Sequence, residues 1–501
     1  MRTTTAIVLL VLAPAVLSSQ QVRPATSDAA PETVRLTMEE AVRRALETGD
    51  EVRLARAALQ QADGQISQAW ASALPEIRTS LTYQRTFASV FSSAGESSGP
   101  PMDPFEPDTT APVTDRLRYL EDEYPNMLMR GLGSLFSNMP FGRENTYVAA
   151  LTVSQTLFQG GKAGAGLRGA RAFRRAAQAQ LEETEREVTF RVRQAYLGAV
   201  FSQRLLVIAE ASQALTNEHL RRVELNHQVG TSADYDLLRA QVESANQEPM
   251  VIAARNGAET AMLELRRLVN LPVTQPVELV STVLTGSDSL PEVDLVAVQA
   301  EVADRASVAA AEASVRVRRE AVRVYRADRY PALHFSMSYG GQAFPSGTFP
   351  SYSDFRKDWS ASLTLSMPLF DGGRTRGLVQ QARAELSRAE AQLQQAREAV
   401  AIDVEQARSE LLRARALLAA RRQTVTQASR AQQLASVRFA NGISPSIEVS
   451  DARLALQQAR VNEAQATRDY VLAIAGLERA LGRPVPLLAP GRRVATGGAA
   501  Q

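Results

Sequence analysis

One stretch of the sequence, Trp359–Ala384, joins a β-strand pattern to the start of a helical segment that is too long for a compact domain. Over Trp359–Leu369, apolar residues alternate with serine and threonine, as in a half-buried β-strand. After Asp371-Gly372-Gly373, a proline-free segment rich in Ala, Arg, Gln and Glu predicts a helix from Arg374 to about Phe439. At about 1.5 Å per residue, that helix is roughly 100 Å long. The chain must therefore extend well beyond a globular core.

The same strand-to-helix joint occurs a second time, earlier in the chain. Leu157-Phe158-Gln159-Gly160-Gly161 aligns with Leu369-Phe370-Asp371-Gly372-Gly373 at an offset of 212 (369 minus 157), and the turn glycines Gly230 and Gly442 have the same offset. Upstream, Pro75 and Pro331 differ by 256, which assigns about 44 extra residues (256 minus 212) to the first loop. The chain is therefore an internal duplication whose two long helices have equal length.

Each half predicts a helix, a strand, a loop, a strand and a long helical hairpin, the first repeat spanning 36–290 and the second 291–484. The first helix begins with a capping box of Thr37 and Glu40 and continues to about Ala73. The loops are 84–146, with a short helix over 115–123 compatible with its sequence, and 340–358. The strands are Ile77–Gln84, Tyr147–Leu157, Leu333–Tyr339 and Trp359–Leu369.

The two ends of the chain differ from the repeats. Arg2 and the short apolar run Ala6–Leu17 predict a signal peptide over 1–19, followed by a linker over 20–35. That run is too short for a transmembrane helix, which needs about 20 residues, and no other apolar run approaches this length. Residues 485–501 are predicted to be a loose tail. If the protein enters a membrane, it must do so with strands.

Composition argues against several classes of function. A formal net charge of +2 provides no basic field for nucleic acid, and the absence of cysteine excludes disulfides and thiol chemistry. No nucleophile–base arrangement or metal cluster is recognisable, so neither an enzyme nor a cofactor is expected. His219 and His227 are interpreted as histidines on a helix surface.

The strands indicate a shared barrel. They have about 7–11 residues, close to the ~9–11 that cross a bilayer when tilted. Four strands cannot close a barrel alone, and an open sheet in lipid would leave its edges unpaired. Several chains are therefore expected to share one barrel.

Together these motifs resemble a known family. Leu-Phe-x-Gly-Gly after an alternating strand, Gly-x-Ser turns between long helices, and Leu36-Thr37-Met38-Glu39-Glu40-Ala41 are similar to the TolC-like outer membrane efflux proteins. The resemblance covers 36–484. It implies a mainly α fold with a β part: a homotrimer whose twelve-stranded β-barrel, four strands per chain, sits in the outer membrane and continues as a periplasmic α-helical barrel.

The resemblance also implies a function. The chain would be a passive exit channel of a tripartite efflux or type I secretion system, surrounded by outer-membrane lipid. Its partners would be a periplasmic adaptor and an inner-membrane transporter. Where family members often have Asn-Pro and Arg-Pro, this chain has Gly49-Asp50 and Arg305-Ala306.

Three sets of site residues follow, and the second and third each have a purely structural alternative. The strand-to-helix hinges are Gly160, Gly161, Gly372 and Gly373. The helical tips, expected to contact the adaptor unless they are simply tight turns, are Gly230, Thr231, Ser232, Gly442, Ile443 and Ser444. The carboxylates expected to ring the channel constriction, unless they are solvated surface charges, are Asp236, Glu448 and Asp451, with Arg239 able to pair with Asp451 in a closed entrance.

Two other classes of protein remain open at this point. A structural coiled-coil protein of the cell envelope would explain the long helices, but it has no need of four alternating strands. A periplasmic adaptor would carry β-sandwich or lipoyl-like segments between its hairpins, and none is recognisable in the sequence.

Overall fold

The computed structural model describes residues 33–88, 106, 108–137, 144–281, 290, 291, 293, 305–345 and 347–485, with only the backbone of 129–137. The predicted signal peptide over 1–19, most of the linker and most of the tail lie outside these residues. The strands are β1 (Val34–Leu36), β2 (Glu76–Arg85), β3 (Asn145–Gln159), β4 (Val277–Leu279), β5 (Ala332–Ala343) and β6 (Phe355–Ser366). The helices are α1 (Met38–Thr48), α2 (Asp50–Ala71), α3 (Val113–Ser137), α4 (Lys162–Gln228), α5 (Asp234–Leu268), α6 (Ala306–Ala327), α7 (Arg374–Ala440) and α8 (Ser446–Leu481).

Two long helices of equal length organise the chain, as predicted. α4 and α7 each have 67 residues, or about 100 Å. α5 and α8 run back along them for about half that length, and α2 and α6 lie beside the other half. Equivalent positions of the two long helices are buried: Val188 and Val192 on α4, and Val400 and Val404 at the same offset of 212 on α7. No helix among the described residues has the length and apolar content to cross a membrane.

The four longer strands form one antiparallel sheet in the order β2-β3-β5-β6. Its two hairpins have the same register: Thr82 lies opposite Val148, and Ser338 lies opposite Ser360. These pairs differ by 256 on the first strand and by 212 on the second, the offsets read from the sequence. The duplication therefore extends to the pairing of individual residues.

The pairing also aligns the alternating residues of all four strands. The apolar residues share one face of the sheet: Ile77, Leu81 and Tyr83 on β2; Tyr147, Ala149, Leu151 and Val153 on β3; Leu333, Phe335, Met337 and Tyr339 on β5; and Trp359, Ala361, Leu363 and Leu365 on β6. The opposite face is dominated by serine, threonine and charged residues. A sheet with this division can separate an apolar medium from water.

The first predicted helix is interrupted. The chain breaks at Gly49, whose backbone is extended (φ −64°, ψ 133°), so α1 and α2 are separate. A Cβ at this position would lie 2.3 Å from the carbonyl oxygen of Ala45, which explains why glycine occupies it. The predicted capping box is only half formed. The amide of Glu40 donates to Thr37 Oγ1 at 3.1 Å, but the Glu40 carboxylate accepts from Arg43 instead.

A small second sheet lies partly in the predicted linker over 20–35. β1 pairs in parallel with β4, and both are attached to α4 by the buried Tyr196. The Tyr196 hydroxyl lies 3.1 Å from the carbonyl oxygen of Leu36 and 2.9 Å from that of Val280. A three-residue strand is too short to show periodicity, which is why the sequence did not predict it.

Both sheet loops differ from the prediction. In 84–146, α3 has 25 residues rather than the short helix over 115–123, and it contains Pro125. The second loop is shorter than 340–358, since β5 continues to Ala343 and β6 begins at Phe355, four residues before the predicted start. Backbone pairing continues there through glycine and charged residues, which carry no apolar signal. Residues 294–304, near the predicted start of the second repeat, lie outside the described residues. The boundaries 36–290 and 291–484 of the repeats remain predictions.

Candidate functional site at the helical tips

The two tips lie at the end of the long helices, about 100 Å from the sheet. Both are Schellman turns of identical geometry. At the first, the Gly230 amide donates to the His227 carbonyl at 2.9 Å and the Thr231 amide to that of Asn226 at 2.8 Å. At the second, Gly442 and Ile443 donate to Phe439 and Arg438 at 3.0 and 2.9 Å.

Glycine is required at each turn because the backbone is left-handed, with φ of +77° at Gly230 and +71° at Gly442. Within the described part of the chain, a Cβ would meet no atom within 4 Å at either position, so backbone conformation rather than crowding selects glycine.

The six predicted contact residues are not equally accessible. Gly230, Thr231, Gly442 and Ile443 are exposed, and Ser232 is half-buried. Ser444 is 8% exposed, and its hydroxyl has no hydrogen-bond partner among the described residues. Ser444 therefore faces inward, whereas Ile443, 68% exposed, is the most prominent apolar side chain of the second tip.

The three predicted constriction carboxylates have different partners. Asp236, at the start of α5, accepts a hydrogen bond from the Ser446 hydroxyl at 2.9 Å. Glu448 faces Arg438 across the second turn at 3.6 Å. Asp451 is exposed and its side chain has no ion pair within the described residues, so the suggested pair with Arg239 is absent from the protomer. Of the three, Asp451 carries the least compensated charge.

Two serine–carboxylate hydrogen bonds join the first hairpin to the second. Besides the bond from Ser446, the Ser450 hydroxyl donates to Glu243 at 2.9 Å, and Ser450 is 8% exposed. Both link α5 to α8, four residues apart along α8. Sequence reasoning missed Ser446, Ser450 and Glu243 because no local pattern indicates which serine of one hairpin faces which acid of the other.

The interpretation of His219 as a surface residue is wrong. Its side chain is 3% exposed and lies against the ring of Phe439 on α7, with ring centroids 5.8 Å apart. Burial first, and then the positive charge of Arg453, lower the pKa of His219. His227 is instead half-buried, with Nε2 2.6 Å from Asp234. Among the described residues no group of side chains has the arrangement of a metal site.

The predicted hinges lie at the opposite end of the long helices. Gly160, Gly161, Gly372 and Gly373 all have positive φ, between +56° and +85°. At Gly160 a Cβ would lie 2.7 Å from the Ala327 carbonyl oxygen, so this hinge is packed against the end of α6. At Gly372 and Gly373 no atom of the residues that the structure describes lies within 4 Å of such a Cβ. The second hinge is therefore open where its counterpart is covered by the same chain.

Asp371 caps the second hinge. Its carboxylate accepts from the amides of Gly373 at 3.0 Å and Thr375 at 2.9 Å. Hydrogen bonds from Thr375, the first cause, hold the pKa of Asp371 below its usual value. A carboxylate at the first turn of α7 also complements the helix dipole.

A family model described as "Outer membrane efflux protein" matches residues 127–271 and 297–483. TolC of Vibrio cholerae is 24% identical over 310 residues, which cover 62% of this chain and 70% of that protein. The alkaline protease secretion protein AprF of Pseudomonas aeruginosa is 25% identical, covering 66% and 69%. The pyoverdine export outer membrane protein OpmQ of Pseudomonas putida is 26% identical, covering 74% and 78%.

Solved structures share the fold. The outer membrane protein VceC of Vibrio cholerae superposes with a TM-score of 0.67 at 18% identity, covering 89% of this chain and 96% of that one. The open state of the Neisseria gonorrhoeae MtrE outer membrane channel gives a TM-score of 0.68 at 16% identity, covering 89% of each chain. The predicted fold class, one protomer of a TolC-like barrel channel, is confirmed.

The family match extends over both repeats and both tips, and it argues against the coiled-coil and adaptor alternatives. The relatives also place such chains in the outer membrane, with the helical part in the periplasm. The chain therefore belongs to the outer membrane efflux protein family and is an outer-membrane exit channel of the kind that efflux and secretion systems use.

Proposed function

We propose that three copies of this chain form a passive conduit that docks, through its tips, with a periplasmic adaptor and an inner-membrane transporter, without catalysing a reaction. One observation carries the proposal: a sheet with a single apolar face, whose two edge strands have no further partner among the described residues, is continued by helices about 100 Å long. The sheet suits a barrel wall, and the helices suit a periplasmic extension.

The outer surfaces of the protomer support association with further copies. β2 and β6 are the edges of the sheet, and nearly all their side chains are exposed. α4 packs against α2, α5, α6 and α8, whereas α7 packs extensively only against α6 and α8 among the described elements. Since α7 is the repeat equivalent of α4, α2 and α5 of the next protomer would fill its free side.

The tips support the docking role. Gly230, Thr231, Gly442 and Ile443 offer two similar exposed surfaces at the same distance from the sheet. We assign direct adaptor contact to these four, while Ser232 and Ser444 would shape the turns from within. Polar backbone and one apolar side chain suit a contact that forms and separates reversibly.

The carboxylates just above the tips suit the constriction. Three copies each of Glu448, Asp451 and Asp236 would attract cations to a narrow entrance. The bonds from Ser446 and Ser450 to α5 would hold the second hairpin against the first, so that opening requires breaking them.

The proposal is tested by changing one tip without changing the helices. Gly442→Leu forces a side chain into a left-handed backbone, at a cost of about 1–2 kcal/mol, and we expect it to reduce both adaptor cross-linking and export of toxic compounds. Gly257→Leu is the control, since Gly257 lies within α5 with open space around it.

The same experiment monitors the trimer and its location. Wild-type chain should fractionate with the outer membrane and show heat-modifiable migration. Unchanged cross-linking and export in Gly442→Leu would contradict the role of the tips, and fractionation away from the outer membrane would contradict the conduit itself.

A further inference from the structure

α3 is a helix for which the channel function has no evident use. It lies between β2 and β3, beyond the pair formed by Arg85 and Asn145, at the end of the sheet opposite the long helices. In the proposed conduit, that end faces the outside of the cell. α3 has no extensive packing against any other described element of the chain.

One face of α3 is an exposed apolar stripe. Its members follow one another at spacings of four, three, four and three residues, the pattern of a coiled-coil seam. Each is between 42% and 69% exposed in the protomer: Val113, Leu117, Leu120, Tyr124 and Met127. Side chains of this size on one helix face indicate a surface that is covered in the assembled protein.

The charges beside the stripe complement one another between copies. Arg116 precedes Leu117 on one side of the stripe, and Glu121 follows Leu120 on the other. In the heptad notation of coiled coils, Leu117 is at position a and Leu120 at position d, which places Arg116 at g and Glu121 at e. In a parallel coiled coil, position g faces the e position that lies five residues later on the neighbouring helix. Arg116 and Glu121 are five apart, so each copy would offer Arg116 to Glu121 of the next.

A lipid surface fits this helix less well. Over 113–128 there are four acidic residues (Asp115, Glu121, Asp122 and Glu123) and two arginines (Arg116 and Arg118), giving a formal charge of −2 (2 minus 4). Helices that lie on anionic membranes instead carry a basic polar face. A three-fold axis, in contrast, makes the three copies of α3 parallel by symmetry.

We propose that the three α3 helices of the trimer associate in parallel along this stripe, forming a three-helix bundle over the outer mouth of the barrel. The inference rests on the trimer proposed above. The bundle would bury Leu117, Leu120 and Tyr124 around the axis, and it would restrict the outer mouth independently of the periplasmic tips.

Cysteine cross-linking tests the bundle directly, because the chain has no native cysteine. Leu120→Cys lies in the stripe, and Asp122→Cys lies on the opposite side of the same helix as its control. In the full-length protein in outer-membrane vesicles, with copper–phenanthroline as oxidant, we expect Leu120→Cys to form covalent dimers at least several-fold faster than Asp122→Cys.

A charge exchange tests the direction of packing. Arg116→Glu in the Leu120→Cys background should slow cross-linking several-fold, and the further change Glu121→Arg should restore it. The cross-linking rate can be restored only if residues 116 and 121 of neighbouring copies contact each other. If Arg116→Glu had simply damaged the helix, the second substitution would not restore the rate.

The outcomes separate the inference from the proposed function. A heat-modifiable trimer without faster cross-linking of Leu120→Cys overturns the bundle and leaves the conduit intact. A chain that forms no trimer contradicts the conduit as well. A fluorophore attached to Leu120→Cys can also be tested with quencher-labelled lipid. If the lipid quenches it and no cross-link forms, the stripe contacts the membrane and the bundle is overturned.

Discussion

Glu448 and Asp451 lie on the same side of α8 within one helical turn, but their electrostatic environments differ. Glu448 faces Arg438 at 3.6 Å, so part of its charge is compensated, whereas Asp451 has no ion pair within the described residues. Glu448 and Arg438 are both partly exposed, and solvent weakens an interaction of this kind. Asp451 should therefore contribute more than Glu448 to the field at the entrance.

We accordingly expect Asp451→Ala to lower cation selectivity more than Glu448→Ala, and the double variant to lower it most and to weaken block by multivalent cations. Reversal potentials and single-channel recordings in planar bilayers measure both effects. Glu259→Ala, an exposed acid farther along α5, is the control. A double variant with wild-type selectivity would remove these carboxylates from the constriction.

His219 gives the tip region a dependence on pH. Charged groups on three elements face it: Arg453 on α8, Asp236 and Glu243 on α5, and Arg222 on α4 itself, while Phe439 contributes its ring from α7. The folded state lowers the pKa of His219 below 6.5, so an opened state binds more protons at acidic pH. The closed tip, in which His219 is buried and neutral, therefore keeps its full stability relative to the opened state above about pH 6.5 and loses part of it as the pH falls further.

We therefore expect the tip segments of α4 and α5 to exchange amide hydrogens faster at about pH 5.5 than at about pH 7.5, after correction for intrinsic exchange rates. His219→Gln should remove most of this difference. His227→Gln, which changes the half-buried histidine beside Asp234, should retain it. A wild-type tip whose exchange does not depend on pH would contradict the argument.

At the level of elements, the duplication predicts the strand register at the edge between two protomers. Within the chain, Thr152 on β3 lies opposite Ser338 on β5. The repeat equivalents are Thr364 on β6 (152 plus 212) and Thr82 on β2 (338 minus 256). If the edge between protomers copies the one inside the chain, Thr364 lies opposite Thr82 of the next protomer.

We expect the double variant Thr364→Cys with Thr82→Cys to form disulfide-linked trimers under mild oxidation, because directly opposed residues lie about 4.5–5.5 Å apart. Thr364→Cys with Ser80→Cys, displaced by two residues along β2, is the control. Equal or faster linking of the control, analysed by non-reducing electrophoresis, would mean that the edge between protomers has a different register.

At the scale of the whole molecule, the features that could be predicted from the sequence are those set by segment lengths and repeat offsets. The equal length of α4 and α7, the four strands and the turns at Gly230 and Gly442 all follow from one repeat, whose offset is 256 before the sheet loops and 212 after them. The site residues were found only in part. Asp236 was located by its distance from a tip, but its partner Ser446 belongs to the other hairpin and has no sequence signal.

The remaining errors share a physical cause: each feature depends on packing between distant segments. β1 exists because β4, more than two hundred residues away, pairs with it. His219 is buried because α8 and the ring of Phe439 on α7 lie against that part of α4, which the local sequence does not reveal. The break at Gly49 depends on a tight approach to Ala45, whereas the flanking residues favour helix.

The equal length of α4 and α7 has a consequence for stoichiometry. Because both turns end at the same height, a trimer would present six tips in one plane, spaced by about 60° and alike in backbone shape. One side chain alternates around this ring, since Thr231 of the first tip is replaced by Ile443 in the second. A ring of six identical partner subunits could therefore occupy every tip, but with two alternating kinds of contact rather than one.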